Sequence, residues 1–190
     1  MSFLPYANLY NIALKKMNVT DDIIHGSIAL HVRRSDKYTE DPLFSQRSFR
    51  TFADATLNYI HWNTVSDPSI FIASEDPKTF NVMPKLLKHL RIFALPQEFF
   101  VMDGASQSST FQNIAQNNNE LKKRYLQSSR DEGMALSILL KILSNTRIMI
   151  FSLSSNMAII ATDLHRNGMF VDVQGRTYCG CGASFCIKKH

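Results

Sequence analysis

Short apolar runs recur along this chain, and the three longest are separated from their neighbours by segments of helical length or more. Ile28 to Val32, led in by Ser27, forms the first of them; Ser69-Ile70-Phe71-Ile72-Ala73 is the second, and Arg147 to Leu153 is the last. Ile92–Ala94 and Phe99–Met102 are shorter candidates. Runs this short, with no polar alternation, read as strands buried on both faces. Between them apolar residues fall at helical spacing. Residues 6–17 carry Leu9, Ile12, Ala13 and Met17, and residues 46–62 carry Phe49, Phe52, Ala53, Leu57 and Ile60. Lys78 to Leu90 predicts a helix with a kink at Pro84, since proline has no N–H to donate. Met134 to Leu143 predicts another, opened by Asp131-Glu132 as the helix dipole favours, and Met157 to Arg166 a third, stopped by Asn167-Gly168. Strands alternating with helices at crossover spacing predict an α/β fold: a Rossmann-like three-layer domain with a mostly parallel sheet.

A chain of 190 residues fits one domain with a core large enough to be stable. Its hydrophobic content of 45% and charged content of 19% belong to a globular protein. The formal net charge is +5, but Lys and Arg are dispersed, with only short clusters at Lys122-Lys123-Arg124 and Lys188-Lys189. Dispersed charge favours a local anion site over a nucleic-acid tract. No apolar run reaches the roughly 18–20 residues that span a membrane, and Pro5, Tyr6 and Asn8 interrupt any signal-peptide pattern. A membrane would therefore be met only through a segment absent from this chain.

Polar residues gather where three strands end. After the first strand comes His31-Val32-Arg33-Arg34-Ser35-Asp36-Lys37-Tyr38-Thr39-Glu40; after the second, Ser74-Glu75-Asp76-Pro77; after the last, Ser152-Leu153-Ser154-Ser155-Asn156. In a parallel sheet these ends share one edge, where ligands of open α/β sheets bind. An Arg pair suits a diphosphate, because each planar guanidinium donates two parallel hydrogen bonds to phosphate oxygens. Strand alternation puts His31 and Arg33 on one face and Arg34 on the other, where it would pair with Asp36 or another carboxylate. Lys37 is a second candidate phosphate contact. Ser154, Ser155 and Asn156 suit both helix capping and anion binding at a helix N-terminus. Asp76 has helix-entrance chemistry and would also suit a base or ribose. A local Arg–Asp ion pair closing the strand is the plainer account of the first cluster.

Neither common glycine-rich phosphate loop is present. Asp36, Glu40, Asp41, Glu75 and Asp76 do not make a D-x-D spacing, so phosphate charge is expected to be met by Arg and Lys, with no metal and no cofactor. Cys179, Cys181 and Cys186 read as free or partly paired thiols, since a zinc site wants four ligands and C-x-C is tight for one; His190 could be a fourth ligand but is the terminal residue. Asn18-Val19-Thr20 is an N-glycosylation sequon.

The first cluster resembles the first signature of the α1,6-fucosyltransferase family (glycosyltransferase family 23). Ile72-Ala73-Ser74-Glu75-Asp76-Pro77 is similar to its second motif, and Phe151-Ser152-Leu153-Ser154-Ser155-Asn156 to its third. The resemblance spans residues 27–166. It implies the C-terminal, donor-binding half of a GT-B glycosyltransferase that moves fucose from GDP-fucose to a glycan hydroxyl by a single inverting displacement. It also implies roles: His31 at the guanine, Arg33 on the β-phosphate, Arg34, Asp36 and Lys37 organising that edge, Glu40 as general base, and Asp76, Ser154, Ser155 and Asn156 completing the donor pocket. A Golgi-lumenal location is implied as well.

The sequence departs from the family pattern in two ways. Lys37 and Glu40 are one residue closer than in the family, and the helix before the third motif carries Ser137 and Lys141 where the family has an acid that reads guanine. The resemblance divides the chain into an N-terminal helical segment over 1–26, a nucleotide-sugar-binding domain over 27–178 and a cysteine-containing tail over 179–190. An acceptor half before residue 27 is expected but not contained in it. The alternative function is a non-catalytic GDP-sugar-binding module; a general polyanion binder is a third, poorly matched by aromatic residues that fall in core patterns.

Overall fold

The computed structural model describes residues 6–32, 48–74, 76–95, 133–152, 156–165, 169–172 and 177–179. Helices α1 (Tyr6–Met17) and α2 (Asp21–Gly26) lead into strand β1 (Ile28–His31). Then follow α3 (Phe49–Trp62), β2 (Ser69–Ala73), α4 (Lys78–Leu86) and β3 (Arg91–Ala94). A helix over 133–145, here α5, precedes β4 (Ile148–Phe151), α6 (Asn156–Leu164), β5 (Met169–Asp172) and β6 (Thr177–Cys179). Among the described residues the strands make one sheet in the order β3-β2-β1-β4-β5-β6. All neighbouring pairs are parallel except β5 with β6, which is antiparallel. The expected α/β architecture with a mostly parallel sheet is the one observed.

The unbroken apolar strands follow from burial on both faces. Ile28, Leu30, Ile70, Ile72, Ile148 and Ile150 pack on one side with Phe52, Ala53 and Tyr59 of α3 and Met83 of α4. The alternate residues Ala29, Phe71, Ala73, Phe93, Met149 and Phe151 face the other way. There they meet Ala13 and Leu14 of α1, Ile24 of α2, Ile138, Leu139, Ile142 and Leu143 of α5, and Ala158 and Ala161 of α6. Helices thus cover both faces of the sheet, and α1 and α2 share the core of the second face. Each large side chain buried here contributes roughly 1.5–3 kcal/mol relative to exposure.

Local chemistry sets the helix ends. Ser48 Oγ accepts from the Thr51 amide at 3.2 Å and caps α3. At the end of α1 the Asn18 amide bonds to the Lys15 carbonyl and the Val19 amide to the Leu14 carbonyl, each at 3.1 Å. With Asn18 at φ 53°, this is a Schellman cap with asparagine in the left-handed position, and Val19 is buried beneath it. Helix α4 runs through Pro84 and ends at Leu86, short of the Leu90 expected from sequence. The Leu87 amide still bonds to Met83, but His89 adopts φ 73° and turns the chain into β3. Strand β1 ends at His31, one residue before Val32. The strand candidate Phe99–Met102 lies outside the described residues.

Candidate functional site

The sheet order places the site. From β1 the chain moves outward through β2 to β3, with α3 and α4 on one face; it then returns to β4 beside β1 and continues to β5, with α5 and α6 on the other. The direction of winding reverses between β1 and β4. In open α/β sheets the crevice at the carboxyl ends beside such a reversal is the usual binding position. The strands that end there are β2, β1 and β4, in adjacent positions, and these carry the three polar clusters of the sequence.

His31 is the last residue of β1, opposite Ala73 in the β2 register, and is buried with no exposed surface. Strand alternation puts it on the Ala29 face, the side covered by α5 and α6. Val32 adds one further ladder bond, its amide donating to the Ala73 carbonyl at 2.8 Å. The next residue is Arg33. Arg33, Arg34, Asp36, Lys37 and Glu40 all lie outside the described residues, as do Ser154 and Ser155. Asn156 is the first residue of α6, directly after the third cluster, and Ser152 at the end of β4 is fully buried.

The second cluster is the best defined. Ser74 Oγ donates to the Val32 carbonyl at 2.5 Å, lies 2.8 Å from Thr79 Oγ1, and accepts from the Asp76 amide at 3.1 Å. Asp76 is half-buried; one of its carboxylate oxygens accepts from the Lys78 amide at 2.9 Å, and its carbonyl accepts from the Thr79 amide at 2.9 Å. Asp76 therefore turns the chain into α4, an Asx-type turn that accounts for an acid at this position before any ligand is considered. The structure brings His31 and Asp76 to the same sheet edge and starts α6 at Asn156 beside them. Thr79, fully buried on α4, is a residue that sequence reasoning missed. Its only sequence signal is a hydroxyl five residues after Ser74, across an Asp-Pro helix entrance. Among the described residues no group of three or more His, Cys, Asp or Glu could hold a metal ion. None of the described helices is long and apolar enough to cross a membrane.

No family model matches the sequence, and no curated protein matches it. Solved structures do match the fold. One is a crystal structure of fucosyltransferase NodZ from Bradyrhizobium, at a TM-score of 0.51 and 12% identity, over 90% of this chain and 44% of that one. Another is NodZ α-1,6-fucosyltransferase soaked with GDP-fucose, also at 0.51 and 12% identity, over 98% of this chain and 49% of that one. At this identity the likeness is one of fold. The chain spans about half the length of the fucosyltransferase structures it matches.

Proposed function

We propose that this chain binds GDP-fucose at the carboxyl ends of β2, β1 and β4 and serves as the donor half of a fucosyltransferase of the α1,6 family. One observation carries the reading: the three clusters that resemble the family's motifs follow three adjacent parallel strands at the point where the winding reverses. A fold shared with half of a fucosyltransferase that was soaked with GDP-fucose supports it.

The roles follow from the chemistry of each group. Arg33 holds the β-phosphate and takes up the negative charge that develops as the bond between the fucose anomeric carbon and the phosphate oxygen breaks. Glu40 removes the proton of the glycan hydroxyl whose oxygen forms the new bond from the opposite face, which inverts the anomeric centre. Arg34, Asp36 and Lys37 organise the phosphate edge. His31 forms the wall at the guanine end, and Asp76 with Ser154, Ser155 and the start of α6 at Asn156 closes the donor pocket. Phosphate charge is met by cationic side chains in place of a metal. A Golgi-lumenal location goes with this function.

Calorimetric titration with GDP, with and without EDTA and with UDP for comparison, tests it. Saturable binding of GDP that is stronger than UDP and unaffected by EDTA is expected. No GDP binding by the folded chain contradicts the proposal. Binding without transfer, in a chain supplied with its acceptor half, favours the non-catalytic nucleotide-sugar module.

A further inference from the structure

The hydroxyl of Ser74 has one proton and two acceptor positions, and the structure gives a partner to each. Its proton goes to the Val32 carbonyl at 2.5 Å, because a carbonyl only accepts. Its acceptor positions then take the Asp76 amide at 3.1 Å and the Thr79 hydroxyl at 2.8 Å, which fixes Thr79 as the donor of that pair. Ser74, Thr79 and Val32 are all buried, at 7%, 0% and 0% exposure, so water is a poor substitute for any of these bonds. A single oxygen thus joins three segments: the last described residue before Arg33, the end of β2, and the first turn of α4 with Asp76. The apolar strand would run equally well into alanine, so packing alone does not account for a hydroxyl here.

We propose that Ser74 is a positioning residue for the donor site: it holds the Val32 carbonyl, one residue before Arg33 in sequence, and through Asp76 and Thr79 ties it to the start of α4. The proposal rests on the GDP-binding function proposed above and deepens it. With its proton on the Val32 carbonyl and both acceptor positions filled, Ser74 acts on the diphosphate through Val32, the residue before Arg33. Its removal therefore discriminates between ligands with and without phosphates, whereas loss of a merely structural contact would weaken both alike.

The test compares GDP and guanosine binding by calorimetry and competition for the wild-type chain, Ser74→Ala and Ser74→Thr, at a temperature where each is folded by circular dichroism. Ser74→Ala is expected to weaken GDP roughly tenfold and guanosine less than about twofold, the scale of one net hydrogen bond. Ser74→Thr, which keeps the hydroxyl, is expected to restore most of the GDP affinity. If Ser74→Ala does not fold, Ser74→Cys fills the same space with a weak donor and is expected to show a smaller loss in the same direction. Wild-type GDP binding with an unchanged ratio of GDP to guanosine affinity in the folded variants overturns the proposal alone. Absence of GDP binding by the wild type overturns the functional reading and this proposal with it.

Discussion

The Val32 amide donates to the Ala73 carbonyl at 2.8 Å, so the chain leaves β1 still bonded to the end of β2. Arg33 follows the first of these residues and Ser74 the second. The basic cluster and the Ser74-to-Asp76 cluster therefore start from one backbone junction, although 42 positions separate Val32 from Ser74 in sequence.

If Arg33 holds the β-phosphate, Arg33→Ala removes charge-assisted hydrogen bonds worth about 1.5–3 kcal/mol, or about 10- to 150-fold in affinity for GDP. Guanosine binding is expected to change less than about twofold. Calorimetry with both ligands checks this, and equal weakening of both would rule out the assigned role.

Removing a general base while preserving its shape separates binding from chemistry. Glu40→Gln is expected to lower fucose transfer by about 100- to 10,000-fold in a chain supplied with its acceptor half, with GDP affinity unchanged within about twofold. Transfer assays paired with GDP titration decide it; parallel loss of both would show Glu40 to be a binding or folding residue.

Phe71 lies at the centre of β2 with no exposed surface, its ring 5.7 Å from that of Phe93 and tilted by 42°. Phe71→Ala leaves a cavity on the face shared by α1, α5 and α6 and is expected to cost about 3–5 kcal/mol by urea denaturation. A loss below about 1 kcal/mol would mean that this face is not packed as described.

Burial, joined by its hydrogen bond to Asp21 and opposed by one from Asn145, pushes the Tyr10 hydroxyl up from 10.0 to about 12. The folded chain holds this proton more tightly than the unfolded chain. The stabilising contribution is complete below pH 10 and is lost as pH rises from 10 towards 12. Tyr59 is shifted upward too, by burial and against the charge of Arg147. Tyr10→Phe is thus expected to make the alkaline fall in urea midpoint shallower without abolishing it. An unchanged slope would contradict the Tyr10 environment.

What the sequence made legible depended on how much signal each element carried. Ser69–Ala73 was readable to the residue, because four consecutive buried positions after Ser69, bounded by Asp67-Pro68 and Ser74, leave little choice. Helix α1 matched over 6–17, and α3 began at Phe49, three residues later than the expected 46, because Ser48 caps it. Helix α2 lies within the helical segment expected over 1–26 but was not set apart from α1, because six residues are too few to show a period. Strands β5 and β6 were missed as well; four and three residues give no pattern, and their pairing is decided by β4 and by each other. The shared edge at which β2, β1 and β4 end was readable from parallel topology alone. The hydrogen bonds through Ser74 were not, since they join residues far apart in sequence through a backbone carbonyl that carries no sequence signal.

The proposed GDP site is tested most directly by titrating the isotopically labelled chain with GDP, followed amide by amide by NMR, with UDP as the comparison. Saturable shifts are expected at His31, Val32, Ser74, Asp76, Ser152 and Asn156, at the carboxyl edge of β2, β1 and β4. None is expected at Ser27 or Arg147, which are bonded to each other at 3.0 Å at the opposite edge of the sheet. Shifts centred on Ser27 and Arg147, or equal responses to GDP and UDP, would contradict it.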